Sequence, residues 1–396
     1  MLYQILNAKI LTPLEETAGA VVVRDGRFAE ISARPLDGVP SVDARGLYLA
    51  PGFIDLHVHG GGRCTPMSGR AQDVLAMCRA HALRGTTSIL PTTLAAPKDM
   101  LLRAVSAIEE ARRADAPFRI LGAHMEGPCL NPAQAGAQAP GALTLPKDLN
   151  LDEFLDACPS VRMMGVAPEL DGGMALGDRL AEKGVVASIA HSNATYDQVV
   201  EASVHGYRDI THLYSACSGI VRVGGFRVPG VIEAGLNLDE YTVQVIADGR
   251  HLPIPLLQLI YRCRGAENII LITDGLEFAA ADDLKEGEIY TQFNGVRALY
   301  EDGVMKLPDR TAFAGSAATM DRLVFHMRKA GVPMAEAVRM ATLNPAMRIG
   351  ETKLGRIGPG CAADFLLFDD DINVKLVATG GRALRDDWKI LEDARA

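Results

Sequence analysis

The pattern of apolar positions changes twice along the chain. Residues 1–50 alternate apolar and polar positions in short runs, at 3–11, at 20–31 (A-V-V-V-R-D-G-R-F-A-E-I) and at 47–50. A period of two predicts strands, and Asp25-Gly26 between two such runs is a hairpin signal. From Pro51 onward, unbroken apolar runs at 52–58, 86–91, 118–124, 161–166, 184–190, 208–213, 241–247 and 268–273 alternate with helical stretches such as 71–83 and 98–111. Unbroken runs suit parallel strands covered on both faces, and eight strand–helix units close a barrel. After the last run, 276–314 reads as inserted hairpins. Helices are expected at about 318–330 and 334–342, and strand-and-turn character returns over 353–396. Two short separate sheets would each be marginal, so 1–50 and 353–396 are expected to form one small β-sandwich domain beside a barrel over 51–352. The predicted class is α/β, a (β/α)8 TIM-type barrel with that accessory domain.

Composition narrows the function without naming it. Of 396 residues, 48% are hydrophobic and only 5% aromatic, which fits strands rich in Val, Ile and Leu. The formal net charge of −9 argues against binding nucleic acid through its phosphates. The seven cysteines, Cys64, Cys78, Cys129, Cys158, Cys217, Cys263 and Cys361, form no C-x-x-C pair, so neither a disulfide framework nor a zinc knuckle is expected. The N-terminus lacks the basic start and apolar run of a signal peptide, and no stretch approaches ~18 apolar residues. A cytoplasmic protein with no membrane partner is expected.

The chemistry gathers at the ends of the predicted barrel strands. G-F-I-D-L-H-V-H at 52–59 ends in His57 and His59, which at i and i+2 can converge on one ion. Four other strand ends carry Glu126 (H-M-E-G-P), His191 (A-H-S-N-A-T), His212 (T-H-L-Y) and Asp274 (I-T-D-G). That is the mouth at which TIM-barrel active sites are built. Three histidine-bearing strand ends with two carboxylates point to a divalent metal centre. Imidazole and carboxylate ligands suit zinc, and also iron or manganese. His57 with His59 can hold one ion and His191 with His212 another, Glu126 bridging them or serving either; one ion or two are both compatible with the set. Asp274 is then the expected proton shuttle, or a further ligand, or both.

His81, His205 and His326 read as ordinary helix or surface residues, whereas His124, two residues before Glu126, is expected to orient a ligand. Gly60-Gly61-Gly62 lacks a following lysine and helix signature and reads as a loop, not a phosphate cradle. Asn193 reads as a turn former. Cys64 and Cys129 have no evident activating base and are not proposed as nucleophiles.

These residues sit in motifs that make the chain resemble the N-acetylglucosamine-6-phosphate deacetylase family of the amidohydrolase superfamily, over nearly its full length. The carriers are P-G-F-I-D-L-H-V-H-G, H-M-E-G-P-x-L-N-P, A-H-S-N-A-T, T-H-L-Y, V-x-V-I-A-D-G-x-H at 243–251, I-T-D-G, A-G-S-A-x-T-M at 314–320 and the closing L-G-R-I-G-P-G-C-A-A-D-F. Glu126 before Gly127-Pro128 discriminates most, because hydantoinase-like relatives bridge their metals with a carboxylated lysine. The resemblance implies that Glu126, His191 and His212 are the main metal ligands, that His57 and His59 are a second-metal pair, and that Asp274 is the catalytic acid/base. It also implies a homodimer in which Arg227 (R-V-P-G) and His251 (A-D-G-R-H) hold a phosphate across the subunit interface. The departures fall on substrate recognition: Gln138 stands where the family has a sugar-contacting histidine, and Ser215 where it has an asparagine, with Ala216 following. The expected reaction is deacetylation of an amino-sugar phosphate, first of all N-acetylglucosamine 6-phosphate. Another small amide, or a barrel that binds without catalysis, are the competing readings.

Overall fold

The computed structural model describes residues 1–13, 15–293, 295–311 and 313–391; residues 392–396 of the expected C-terminal segment lie outside the described residues. Seven strands come first: β1 (Leu2–Leu6), β2 (Lys9–Leu11), β3 (Glu16–Thr17), β4 (Ala20–Arg24), β5 (Arg27–Ser32), β6 (Ser41–Asp43) and β7 (Tyr48–Pro51). The run over 3–11 is therefore two strands and not one. Asn7 takes the left-handed conformation (φ 55°), and the chain changes sheet there. β1 pairs with β4 and β6, whereas β2 pairs with β3 and β7. Asp25 and Gly26 both have positive φ (49° and 77°), as a tight two-residue hairpin between right-twisted strands demands.

The barrel strands follow as β8 (Phe53–Val58), β9 (Thr86–Thr93), β10 (Arg119–Ile120), β11 (Ala123–Glu126), β12 (Val161–Val166), β13 (Val186–Ile189) and β14 (Tyr207–Ile210). An exposed ribbon comes next, β15 (Val221–Val223) and β16 (Phe226–Val228), and then β17 (Thr242–Val245) and β18 (Ile269–Leu271). Each of the eight apolar runs holds its barrel strand, the third split into β10 and β11. All are parallel, in the order β8-β9-β11-β12-β13-β14-β17-β18. A parallel bridge between Val58 and Gly275, with Asp274 N–H donating to the His57 carbonyl at 2.9 Å, joins the last strand to the first.

Helices cover the outside. The one over Lys98–Arg112 buries Leu101, Ala104, Val105 and Ile108, spacings of three and four that place one apolar stripe on the barrel. Ile54, Leu56, Leu90, Met163 and Ile270, from strands around the ring, form one cluster that only the barrel interior can bring together. The apolar interior ends where the polar strand ends begin.

The inserted stretch holds a three-stranded antiparallel sheet of β19 (Ile289–Thr291), β20 (Arg297–Glu301) and β21 (Val304–Lys306). The terminal strands β22 (Phe365–Phe368), β23 (Val374–Thr379) and β24 (Arg382–Asp386) return to the N-terminal sheet, giving the order β24-β23-β22-β7-β2-β3. Ile5, Val21, Phe28, Leu49, Phe365, Leu367 and Leu376 form the core between this sheet and the one containing β1. Among the described residues no helix is long and apolar enough to cross a membrane.

Candidate active site

Three of the residues that converge at the barrel mouth share an uncommon backbone. His191, His212 and Asp274 have φ of 45°, 29° and 47°. Non-glycine residues adopt this region at a cost of about 1–3 kcal/mol each, and only where surrounding contacts enforce it. Those contacts are present: the His191 carbonyl accepts from Asn131 N–H (3.0 Å), Leu213 N–H donates to the Gln244 carbonyl (2.8 Å), and Asp274 N–H donates to the His57 carbonyl (2.9 Å). The sharp turn at each strand end aims a side chain across the mouth. After His191 the chain enters a helix at once, because Thr195 and Gln198 form a reciprocal capping box.

Hydrogen bonds fix the tautomer of every converging imidazole. His59 Nδ1 lies 3.2 Å from the Thr92 carbonyl, His191 Nδ1 2.8 Å from the Gln134 carbonyl and His212 Nδ1 3.1 Å from the Ser215 carbonyl. Carbonyls only accept, so each Nδ1 carries the proton. His57 Nδ1 faces Gln244 Oε1 at 3.3 Å. That amide is itself oriented, because its Nε2 donates to Asp209 Oδ2 at 2.6 Å. Four Nε2 atoms are thus directed inward.

What they meet is one another and carboxylates. His57 Nε2 is 3.1 Å from His59 Nε2. Glu126 Oε1 is 3.1 Å from His191 Nε2 and 2.9 Å from His212 Nε2, and Glu126 Oε2 is 3.2 Å from His59 Nε2. Neutral imidazoles pinned in this way would point bare lone pairs at each other and at a carboxylate, which is repulsive without a cation between them. The donor set therefore fits divalent metal. Two triads share Glu126, His57-His59-Glu126 and Glu126-His191-His212, the ligand atoms of each lying within 4.8 Å of one another.

Without metal, protons take the cation's place. Burial opposes charge on His59, but hydrogen bonds to Asp274 and Glu126 outweigh it and push the ring up to about 10. His191 is raised as well, against its burial, by Glu126. Glu126 is held well below the usual carboxylate range, the imidazole charges overcoming its desolvation. Ligation needs the neutral ring, so metal uptake at neutral pH expels a proton from His59, and apparent affinity rises with pH until about 10. Titration calorimetry in two buffers of different ionisation enthalpy reads this proton; a heat independent of buffer would contradict it.

Asp274 Oδ1 lies 3.1 Å from His59 Nε2 and 3.5 Å from His57 Nε2. Burial would raise its pKa, but these imidazoles hold it down to about 2, so the carboxylate is ionised.

Gln138 is buried beside Glu126: its Nε2 donates to Glu126 Oε2 at 2.5 Å and its Oε1 accepts from Ala95 N–H at 2.8 Å. Ser215 and Ala216 lie half-buried in the turn after His212. His251 bonds through Nδ1 to Asp248 Oδ2 at 2.6 Å, and Asp248 raises the ring's pKa in spite of burial. Arg227 does not join the cluster within one chain. It sits on β16, exposed, directly opposite Arg222 on β15.

His124 touches the site through a ring edge, 4.6 Å from the His57 centroid, while its Nδ1 donates to the Leu56 carbonyl at 2.8 Å. His81 donates from Nε2 to the Gly60 carbonyl at 2.8 Å and so ties down the glycine loop. His205 bonds to Asp178 and His326 to the Arg322 carbonyl. Asn193 bonds through its backbone N–H to Glu169. All seven cysteines are free, and burial pushes Cys129 up to about 12.

Three residues went unread in the sequence. Gln244 and Asp209 set the His57 tautomer, and Asp55 accepts from the His57 and Thr273 backbone N–H groups (3.2 and 3.3 Å), tying the His57 strand to the Asp274 strand. Asp55 and Gln244 each stand between apolar neighbours in a barrel strand, which was the available signal, whereas Asp209 follows Arg208 and gave none.

The Amidohydrolase family matches residues 48–384. Among curated proteins, the N-acetylglucosamine-6-phosphate deacetylase of Lysinibacillus sphaericus is 31% identical over 91% of this chain and 92% of its own length. The N-acetylgalactosamine-6-phosphate deacetylase of Escherichia coli O157:H7 is also 31% identical, over 91% and 93%. Among solved structures, the N-acetylglucosamine-6-phosphate deacetylase of Pasteurella multocida superposes with a TM-score of 0.87 at 29% identity, covering 98% of this chain and 100% of that one. A mutant of the Mycobacterium smegmatis deacetylase in complex with N-acetyl-D-glucosamine-6-phosphate gives 0.85 at 29%, over 97% and 99%. With the barrel, the shared-glutamate metal site and these likenesses in agreement, the chain belongs to the amidohydrolase family, as a carbon–nitrogen hydrolase of its N-acetylglucosamine-6-phosphate deacetylase branch.

Proposed function

We propose that the protein hydrolyses the acetamide of N-acetylglucosamine 6-phosphate to glucosamine 6-phosphate and acetate. The observation that carries this reading is the pair of ligand triads sharing Glu126 with Asp274 3.1 Å from His59. We further propose zinc as the metal, with an ion in each triad, His57, His59, Glu126, His191 and His212 as ligands and Asp274 as a further one. A bound divalent ion supplies Lewis acidity toward the amide carbonyl and makes water a nucleophile near neutral pH.

The chain's own groups supply the rest. Ionised Asp274 takes a proton from the attacking water and returns it to the departing amine, so that the C–N bond breaks as an amine rather than as an amide anion. His251, kept cationic more readily by Asp248, and Arg227 suit a phosphate. Gln138, Ser215 and Ala216 stand where the amide and sugar would lie. Relatives named for glucosamine and galactosamine substrates are equally similar, which makes N-acetylgalactosamine 6-phosphate the second substrate to test. Acetate release from both sugars, with and without the 6-phosphate, decides: phosphorylated substrates are expected to be turned over at least tenfold faster. Release from none of them by metal-loaded protein would end this reading.

The ribbon β15–β16 supports a homodimer. Strand alternation sets Val221, Val223 and Phe226 on one face and Arg222 and Arg227 on the other. The apolar face is open to solvent, Phe226 being 79% exposed. Like charges directly opposite on a ribbon are unfavourable unless an anion sits between them. An arm of this kind suits insertion beside a neighbouring subunit's site. Phe226→Glu is expected to shift light scattering from dimer to monomer and to raise KM for the phosphorylated substrate; a wild-type monomer with full activity would remove the arm's role. Free cysteines throughout suit a reducing cytoplasm.

A further inference from the structure

Of the residues proposed to read the substrate, Ser215, Ala216 and His251 follow β14 and β17 of this chain, Gln138 lies beside Glu126 where the amide would be, and Arg227 is offered to a neighbouring subunit's site. Strands β8 and β9 lie on the other side of the ring. Over β8 and β9 a cavity of about 330 Å³ opens beside His59 and Gln138. Met67, Leu94, Ala95, Ala96, Met100 and Leu276 form its apolar wall. Its polar side chains are engaged elsewhere. Thr65 Oγ1 donates to the His59 carbonyl (2.9 Å), Gln292 Nε2 to the Ala314 carbonyl (2.5 Å), and Gln138 is spanned between Ala95 and Glu126. Glu277 Oε1 accepts from Phe293 N–H (2.5 Å). Among the described residues no lysine or arginine lines it.

A site of that chemistry rejects a phosphate or a second sugar ring. Both need free donors or cations, whereas here the donors are already bonded and Glu277 adds negative charge. It accepts hydrocarbon. A scissile amide held at the metal centre, with its sugar toward β14 and β17, must direct the acyl group the opposite way, into this cavity. An acetyl group presents one methyl, and a cavity of ~330 Å³ already falls in the range that takes a whole small ligand. Met67 and Met100 are unbranched and adjust to variable chain length.

We propose that this cavity is an acyl pocket, and that the substrate class extends to N-acyl amino-sugar phosphates with acyl chains of several carbons, cleaved to the amino-sugar phosphate and the carboxylic acid. The reaction balances as ordinary hydrolysis: the water oxygen joins the acyl carbon, the C–N bond breaks, and the nitrogen leaves protonated as the amine. The proposal rests on the deacetylase reading above and adds to it the identity of the acyl group.

The test compares N-acetyl-, N-propionyl-, N-butyryl- and N-hexanoylglucosamine 6-phosphate with metal-loaded protein, following release of the free amine. Expected is a kcat/KM for the butyryl substrate within threefold of the acetyl substrate or above it. Met100, partly exposed in the first turn of the helix over Lys98–Arg112, packs on the edge of the main core and lines the cavity. Met100→Trp is expected to lower kcat/KM for butyryl and hexanoyl substrates at least tenfold more than for the acetyl substrate, mainly through KM; Met100→Ala is expected to move the preference to longer chains. Acetyl turnover with a tenfold loss for each added carbon would overturn the pocket and leave the deacetylase reading standing. Equal effects of Met100→Trp on every chain length would also overturn it. No turnover of any of the four would sink both.

Discussion

Replacing Glu126 by glutamine is expected to empty both halves of the metal centre at once. Its two oxygens are the only ligand atoms common to the two triads: Oε1 faces His191 and His212, and Oε2 faces His59. An amide of the same shape carries no charge and offers one acceptor in place of two. Four imidazoles whose Nδ1 atoms are already committed would then face the ions with Asp274, beside His57 and His59, as the remaining carboxylate of the cluster. Metal analysis after dialysis should find neither ion retained, and hydrolysis should fall by more than the ~10²–10⁴-fold typical of losing one acid–base group. Circular dichroism should stay unchanged, since Glu126 packs at the mouth and not in the apolar interior. An E126Q protein that keeps a full complement of metal would show that the histidines alone define the site.

Asp274→Asn should separate metal binding from proton transfer. The Asp274 backbone is fixed by its N–H bond to the His57 carbonyl, which the substitution keeps. Asparagine can still lean on the ion through its oxygen, but it neither takes a proton from water nor hands one to the leaving amine. Metal content should remain near the wild-type value while kcat falls by about 10²–10⁴-fold with KM little altered. A D274N enzyme within tenfold of wild type would assign the proton transfer to another residue, and His251 would be the next to test.

The barrel was legible in the sequence because parallel strands are covered on both faces and write themselves as unbroken apolar runs; β8 and β9 are buried at every position. The residues that converge at the mouth were legible because each lies at or just beyond the end of such a run. The run over 3–11 was misread as a single strand for the opposite reason: one left-handed residue, Asn7, redirects the chain without disturbing the alternation on either side. The tautomer-setting partners were hidden by distance along the chain. His57 and Gln244 are 187 residues apart, and nothing local to either announces the pairing. Arg227 could be picked out by its motif, but its isolation on an exposed ribbon, away from the metal centre of its own chain, belongs to three-dimensional placement alone.

The sharing of β7 has its own consequence. This strand leads through Gly52 straight into β8, which carries His57, yet it takes β2 as one neighbour and β22 as the other. During synthesis His57, His59, Glu126, His191, His212 and Asp274 all leave the ribosome before Phe365 does. A nascent chain paused there would already hold all six of these residues while one edge of β7, with Leu49 and Ala50, still lacked a mate. Until the tail arrives, that open edge is the place where two growing copies could zip together, so the final strands act as a built-in guard against misassembly.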